Sequence, residues 1–347
     1  MKTLATVAAF GLGAFATGVA AQENLTAMTS TPGVAVHLTV AHLAEVASQR
    51  GIADIQITLG QTGANATLAV AEGRTDIGIC PFIIPFLMSR GVGPFADLGA
   101  ERGAELAGSL RVLYPYSFGA YVLYGYETAG VSGWDDLAGR RVLDGPPRGA
   151  ATSEARSTIQ VMTGLEAGAG FTAVESDWSQ MATTITEGSV DVALLPEYIP
   201  SDRPLQALSA GRMNFYSIPI AQFESESMQR LLTSPGSAPF VLTAEQMAAL
   251  GENATIVSED GMFRTRGSVG GNCVNESMSE ELAYQLTRAH IETLSDLYEK
   301  ALYARNIGLE DLDPVASGMC GLNPVHYHPG AVRAWEEAGY TVPECAQ

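Results

Sequence analysis

Residues 55–79 read IQITLGQTGANATLAVAEGRTDIGI, and the fold class follows from their order. Ile55, Ile57 and Leu59 alternate with the polar Gln56 and Thr58, which predicts a half-buried strand. Gly60 to Gly63 turns the chain and Ala64 to Ala71 reads as a helix. Gly73 stops that helix, since glycine relieves the left-handed backbone strain at a helix end. Ile77-Gly78-Ile79 then begins another strand. Strand, helix and strand in this order predict an α/β sheet with helices on its faces.

The same grammar recurs further along. Arg141-Val142-Leu143 reads as a strand, Gly145 to Gly149 as a loop and Thr152 to Met162 as a helix. Glu72-Gly73-Arg74-Thr75-Asp76-Ile77 is echoed by Glu187-Gly188-Ser189-Val190-Asp191-Val192, each leaving a helix and entering an apolar strand. Such a match is ordinary α/β punctuation or one element repeated in two lobes, and the second reading predicts a two-lobed molecule. Between the echoes stand Tyr114, Tyr116, Phe118, Tyr121, Tyr124 and Tyr126. In an extended strand Tyr124 and Tyr126 share one face and Tyr121 takes the other. Such a strand is either β core or a crossing near a cleft that offers Tyr hydroxyls to a ligand. Later, Ser277 with Glu280 fits a capping box, and Leu282, Leu286, Ala289, Thr293 and Leu297 recur at helical spacing.

The chain's beginning points outside the cytoplasm. Lys2, an apolar run from Leu4 to Val19, and Val19-Ala20-Ala21 before Gln22 have the layout of a cleaved secretory signal, so residues 1–21 are expected to be removed and the protein to reside in the periplasm. About 325 residues then remain, enough for two domains of ordinary size. The net charge is −19, and Lys occurs only at positions 2 and 300. That balance argues against nucleic acid or an anionic membrane as partner, because phosphate binding needs a basic surface. A small anion remains compatible, since a few local donors outweigh a weak, screened field. The four cysteines, Cys80, Cys273, Cys320 and Cys345, permit two disulfides in an exported protein. The pairing stays open, with Cys320–Cys345 preferred because both lie near the C-terminus.

Three loops rich in hydroxyls and glycine each open a helix: Thr29-Ser30-Thr31-Pro32-Gly33, Gly60-Gln61-Thr62-Gly63-Ala64-Asn65, and Asp144-Gly145-Pro146-Pro147-Arg148-Gly149-Ala150-Ala151-Thr152. The first N–H groups of a helix lack internal partners and, with the helix dipole, favour an anion. Arg148 adds a two-pronged donor suited to a carboxylate. Doubly wound sheets bind ligands at the carboxyl ends of their strands, where these loops would converge. The expected ligand contacts are Arg148, Gly149 and Thr152 for a carboxylate, Thr31, Gly33, Gln61, Thr62 and Asn65 for polar contacts, and Tyr114 or Tyr116 as a pocket wall. No Lys-Ser/Thr follows the last glycine of the third loop, so it is no nucleotide P-loop. His326 and His328 lie two apart without a third ligand at a familiar spacing, and no Gly-x-Ser-x-Gly or His-Glu-x-x-His occurs. No catalytic set, metal site or cofactor is expected.

In Thr31-Pro32-Gly33, Gly73-Arg74-Thr75-Asp76, Leu113-Tyr114-Pro115-Tyr116, Leu137-Ala138-Gly139-Arg140-Arg141-Val142 leading into Gly145-Pro146-Pro147, and His328-Pro329-Gly330-Ala331 followed by Arg333, the sequence resembles the TAXI family of TRAP-transporter solute receptors. The likeness is spread over most of the mature chain. It implies a periplasmic receptor of the Venus-flytrap kind that hands a small organic anion, such as a dicarboxylate or an acidic amino acid, to a TRAP-type membrane permease in a sodium-coupled system. It also implies ligand contacts from the same three loops. The chain departs from the family's pattern where Val34-Ala35-Val36-His37 follows the first loop, where Arg148-Gly149-Ala150-Ala151-Thr152 stands for Gly-Ser-Gly-Thr, and where Asn65 lies one position early.

The expected architecture is therefore α/β, of the two-lobed periplasmic-binding-protein type II, with a cleft between the lobes. Lobe one is expected over 22–124 plus 219–347 and lobe two over 125–218, with hinge strands near Tyr121–Tyr126 and Ser217–Ile220. An exported enzyme or a signalling adaptor on the same scaffold is the alternative, and turnover distinguishes the enzyme from a receptor that returns its solute unchanged.

Overall fold

The computed structural model describes residues 23–147 and 150–347; the leader expected over 1–21 and the pair Arg148-Gly149 lie outside the described residues. The chain opens with a unit of β1 (Glu23–Met28), α1 (Ala35–Gln49), β2 (Ala53–Thr58), α2 (Gly63–Ala71) and β3 (Ile77–Pro81). Helices α3 (Ile83–Arg90) and α4 (Gly99–Gly108) lead into the long β4 (Leu110–Tyr126). A second unit follows: β5 (Arg141–Gly145), α5 (Ala150–Thr163), β6 (Thr172–Glu175), α6 (Met181–Thr186) and β7 (Val192–Glu197). Next come α7 (Asp202–Ala210), β8 (Met213–Tyr216), α8 (Ile220–Phe223), α9 (Glu226–Leu232), β9 (Ser237–Leu242), α10 (Ala244–Met247) and β10 (Ala254–Val257). The long β11 (Phe263–Asn275) carries the chain back, and α11 (Glu280–Glu292), α12 (Leu294–Lys300), β12 (His326–Tyr327) and α13 (Pro329–Glu337) complete it.

The strand order β2-β1-β3-β11-β4-β7-β5-β6 places the two units at opposite ends of one sheet, with β11 and β4 running antiparallel between them. Within each unit the strands are parallel: β1 lies between β2 and β3, and β5 between β6 and β7. The sequence echo is structural. Gly73 and Gly188 both turn at φ +68°. Asp76 accepts from the backbone N–H of Thr26 at 2.8 Å, and Asp191 accepts from the backbone N–H of Arg141 at 2.7 Å. Each carboxylate thus pins the neighbouring strand of its own unit, and the two partners are separated by 50 residues in both cases.

Apolar burial divides the same way. One core gathers Leu43, Ile77, Phe82, Tyr114, Leu286 and Trp335 around the first unit, α11 and α13. The second half of the sheet is covered on both faces, with Tyr124, Leu195, Phe215 and Phe263 on one and Tyr121, Trp134, Ile159 and Leu194 on the other. Each fully buried side chain of this size contributes roughly 1.5–3 kcal/mol. Tyr121 and Tyr124 point to opposite faces of β4, as strand alternation predicts. The two-lobed α/β architecture read from the sequence is the one the protein has.

The cap of α11 is Ser279, whose hydroxyl accepts from the Leu282 N–H, and not Ser277, whose own N–H is held by Asn275 Oδ1 at 3.0 Å. The Asn275 bond fixes a turn that delays the helix by two residues. Cys320 and Cys345 form a disulfide, while Cys80 and Cys273 are buried thiols on the facing strands β3 and β11. Among the described residues no helix is long and apolar enough to cross a membrane.

Candidate functional site

The loops that leave the carboxyl ends of β1 and β2 form one wall. Thr29 is fully buried at the end of β1 and its hydroxyl donates to Val36 O at 2.7 Å, tying the strand end to the start of α1. Its carbonyl accepts from Gln61 N–H at 2.9 Å, which joins the first loop to the second. Thr62 caps α2 by accepting from Asn65 N–H at 3.2 Å, and Asn65 donates to Gln61 Oε1. Gln61, Thr62 and Asn65 therefore brace one another. Thr31 and Gly33 are exposed on the first loop, with Gly33 at φ +93°.

The second unit supplies the facing wall. Gly145 sits at φ +137°, and a Cβ there would lie 2.4 Å from Thr152 Oγ1. Thr152 is buried and donates to Pro146 O at 2.6 Å, so its hydroxyl proton holds the loop. Gly145 O accepts from Ser176 N–H at 3.1 Å, the counterpart of the Thr29–Gln61 bond. Asp202, at the start of α7, closes the distance between the walls: a Cβ built at Gly33 would lie 3.9 Å from its Oδ2.

The two cores also meet beside the central strands. Tyr198 stacks on Tyr303 with ring centres 5.1 Å apart. Asn306 donates to Ile199 O at 2.8 Å and accepts from Gln246 Nε2 at 2.9 Å, so one side chain from the first core engages two segments of the second. A cavity of about 210 Å3 lies here, lined by Tyr116, Ser117, Phe240, Gln246, Asn306 and Ile307 among others. Of the residues expected from sequence, Tyr116 lines it and the loop residues do not. Tyr114 is a correction: it is fully buried, its ring stacks on His290 at 3.6 Å, and its hydroxyl accepts from Asn272 Nδ2 at 2.7 Å. It is core, and burial lowers His290 to about 3, which keeps the stacked imidazole neutral.

Two buried charged clusters escaped sequence reading. On one face of β4, the Tyr121 hydroxyl donates to Glu154 Oε2, and Arg266 of β11 donates to Glu154 O at 3.0 Å, Ser157 Oγ at 3.0 Å and Ser237 Oγ at 2.7 Å. On the other, the Tyr124 hydroxyl donates to Glu197 Oε1 at 2.7 Å, and Arg203 Nε lies 2.8 Å from the same oxygen. Burial pushes both carboxyls up, opposed by the facing guanidinium. Each arginine neutralises a buried glutamate. The one available signal was a charge inside an otherwise small and apolar run, as in Arg264-Thr265-Arg266-Gly267-Ser268. His326 and His328 are held by main-chain carbonyls, His326 by Gln347 O and His328 by Met278 O, and His328 caps α13.

Residues 25–339, nearly the whole described chain, match the NMT1-like family. The chain belongs to the NMT1-like family. No curated protein matches this NMT1-like chain. Among solved structures it is similar to a TctC solute-binding protein from Polaromonas, at 12% identity over 84% of this chain and 90% of that one with a TM-score of 0.45. It is also similar to a TRAP periplasmic solute-binding protein from Desulfovibrio salexigens with bound orotic acid, at 9% identity over 92% and 85% with a TM-score of 0.44. The likeness to the periplasmic aliphatic sulphonate binding protein SsuA of Escherichia coli is 15% identity over 55% of this chain, spans 58% of that protein, and has a TM-score of 0.39.

Proposed function

We propose that this protein is an exported solute receptor that closes two lobes on a small organic anion and delivers it to a TRAP-type membrane permease, as a member of the TAXI group. The observation that carries the reading is the opposition of two sets of carboxyl-end loops across β4 and β11, with Gly33 of one set 3.9 Å from Asp202 of the other when given a Cβ. The division of the cores supports lobe boundaries near Gly119 and Gly267. That assignment draws 219–265 into lobe two, because Met228, Leu232, Leu242, Met247, Leu250 and Phe263 pack with Tyr121 or Tyr124. Closure is then a hinge motion about two strands.

In this reading Arg148, Gly149, Thr31 and Gly33 contact the solute, Gln61, Thr62 and Asn65 shape its wall, Thr152 holds the loop that carries Arg148, and Tyr116 lines the inter-lobe space. The test is a thermal-shift screen of the mature protein against glutamate, α-ketoglutarate, succinate, fumarate and malonate, followed by calorimetry. A solute that binds only the folded form raises the melting temperature at concentrations well above its Kd. Arg148→Ala is expected to weaken an anionic solute by about 1.5–3 kcal/mol. Unchanged affinity would remove Arg148 from the site, and chemical turnover of the solute would replace the receptor reading with an enzyme.

A further inference from the structure

Trp178 is the exposed tryptophan of a chain that has three: it is 49% exposed, against 3% for Trp134 and 0% for Trp335. It lies three residues beyond the end of β6, in the loop at the carboxyl end of an edge strand. One side of its ring is taken. Arg203 Cζ lies 5.2 Å from the ring centroid. Arg203 itself cannot swing away, because its guanidinium is held by Glu197 at 2.8 Å, Met181 Sδ at 3.0 Å and Pro196 O at 3.4 Å. Glu197 is 1% exposed and fixed in turn by Tyr124.

The geometry points to a stacking platform that selects solutes carrying a planar aromatic or conjugated ring, an inference that rests on the solute-receptor reading above. The arginine orients the indole as a cation–π pair does. Its charge is matched by Glu197, so what the loop offers is an aromatic face and not a free cation. A large apolar side chain left in water at the carboxyl end of a parallel strand stands where α/β sheets receive ligands. Leu59, 47% exposed in the loop after β2, gives the first lobe one exposed apolar side chain at the corresponding end. A flexible aliphatic solute gains little from such a surface, whereas a flat ring covers it.

The test uses the full mature chain and charge-matched pairs: benzoate against cyclohexanecarboxylate, and phthalate against its saturated-ring analogue. Calorimetry is expected to give at least tenfold tighter binding of each flat acid, with a change in the emission of the exposed tryptophan. Trp178→Ala should erase that preference at an unchanged melting temperature, and Trp178→Phe should keep most of it. A preference that is absent, or that survives in Trp178→Ala, overturns the platform. Binding of a non-planar solute alone overturns the platform while leaving the receptor intact. If no solute binds and none is released on denaturation, the receptor reading itself falls, and the platform with it.

Discussion

The two β-α-β-α-β units solve one problem from opposite ends. Each must fasten the end of its first strand to the start of the following helix. In the first unit the hydroxyl sits on the strand side, where Thr29 donates to Val36 O. In the second it sits on the helix side, where Thr152 donates back to Pro146 O. The strand-side position, Gly145, must then be empty, because any Cβ would strike that hydroxyl. The units differ again at their third strands. Phe82, after β3, is fully buried apolar core, whereas Glu197, closing β7, is a buried carboxylate held by Tyr124 and Arg203. Equivalent backbone can thus be supported by packing in one lobe and by charge in the other.

The largest expected effect breaks that second contrast. Glu197→Ala leaves Arg203 without its partner in a mostly buried setting and should cost about 3–5 kcal/mol in urea denaturation. Phe82→Ala in the other unit should cost a similar amount, about 3–5 kcal/mol, through a cavity instead. A much smaller loss for Glu197→Ala would mean that water already solvates Arg203. Next, Gly145→Ala combines a strained φ with a clash and should cost about 2–3 kcal/mol, read as a lowered denaturation midpoint. Thr29→Val and Thr152→Val should each lose about 1 kcal/mol, and unequal losses would show that the two fastenings are not equivalent.

The smallest effect concerns the repeated aspartates. The hydrogen bonds from Arg141 hold the Asp191 carboxyl below the usual carboxylate range. Its stabilisation is therefore complete above its ordinary value of 3.8 and is lost as pH falls through the lowered value of the folded form. Asp191→Asn should reduce stability by less than about 1 kcal/mol near neutrality, since the pair is partly exposed. The difference between the parent and this variant should then vanish in acid.

Much of this contrast was legible as letters. The period-two run Ile55–Leu59, the glycine stops and the repeated Gly-x-x-Asp reported both units, because backbone conformation and strand alternation depend on adjacent residues. The opposite orientations of Tyr121 and Tyr124 followed from alternation alone. What escaped was what only distance in space creates. Ser279 took the cap expected of Ser277 because Asn275 intervenes. Tyr114 became core because α11, far along the chain, lays His290 against it. The pairing of Arg266 with Glu154 joins residues 112 apart, and no spacing rule reaches that far. Asp202 gained meaning only when the sheet set its loop beside Gly33 of the first unit.

Asn306 carries a kinetic consequence. Its amide bonds Ile199 through nitrogen and Gln246 through oxygen, two segments beside the second core. The hinge motion proposed above would have to break both bonds, so part of what holds the shut form would be the same for every solute, on top of whatever grip each solute supplies for itself.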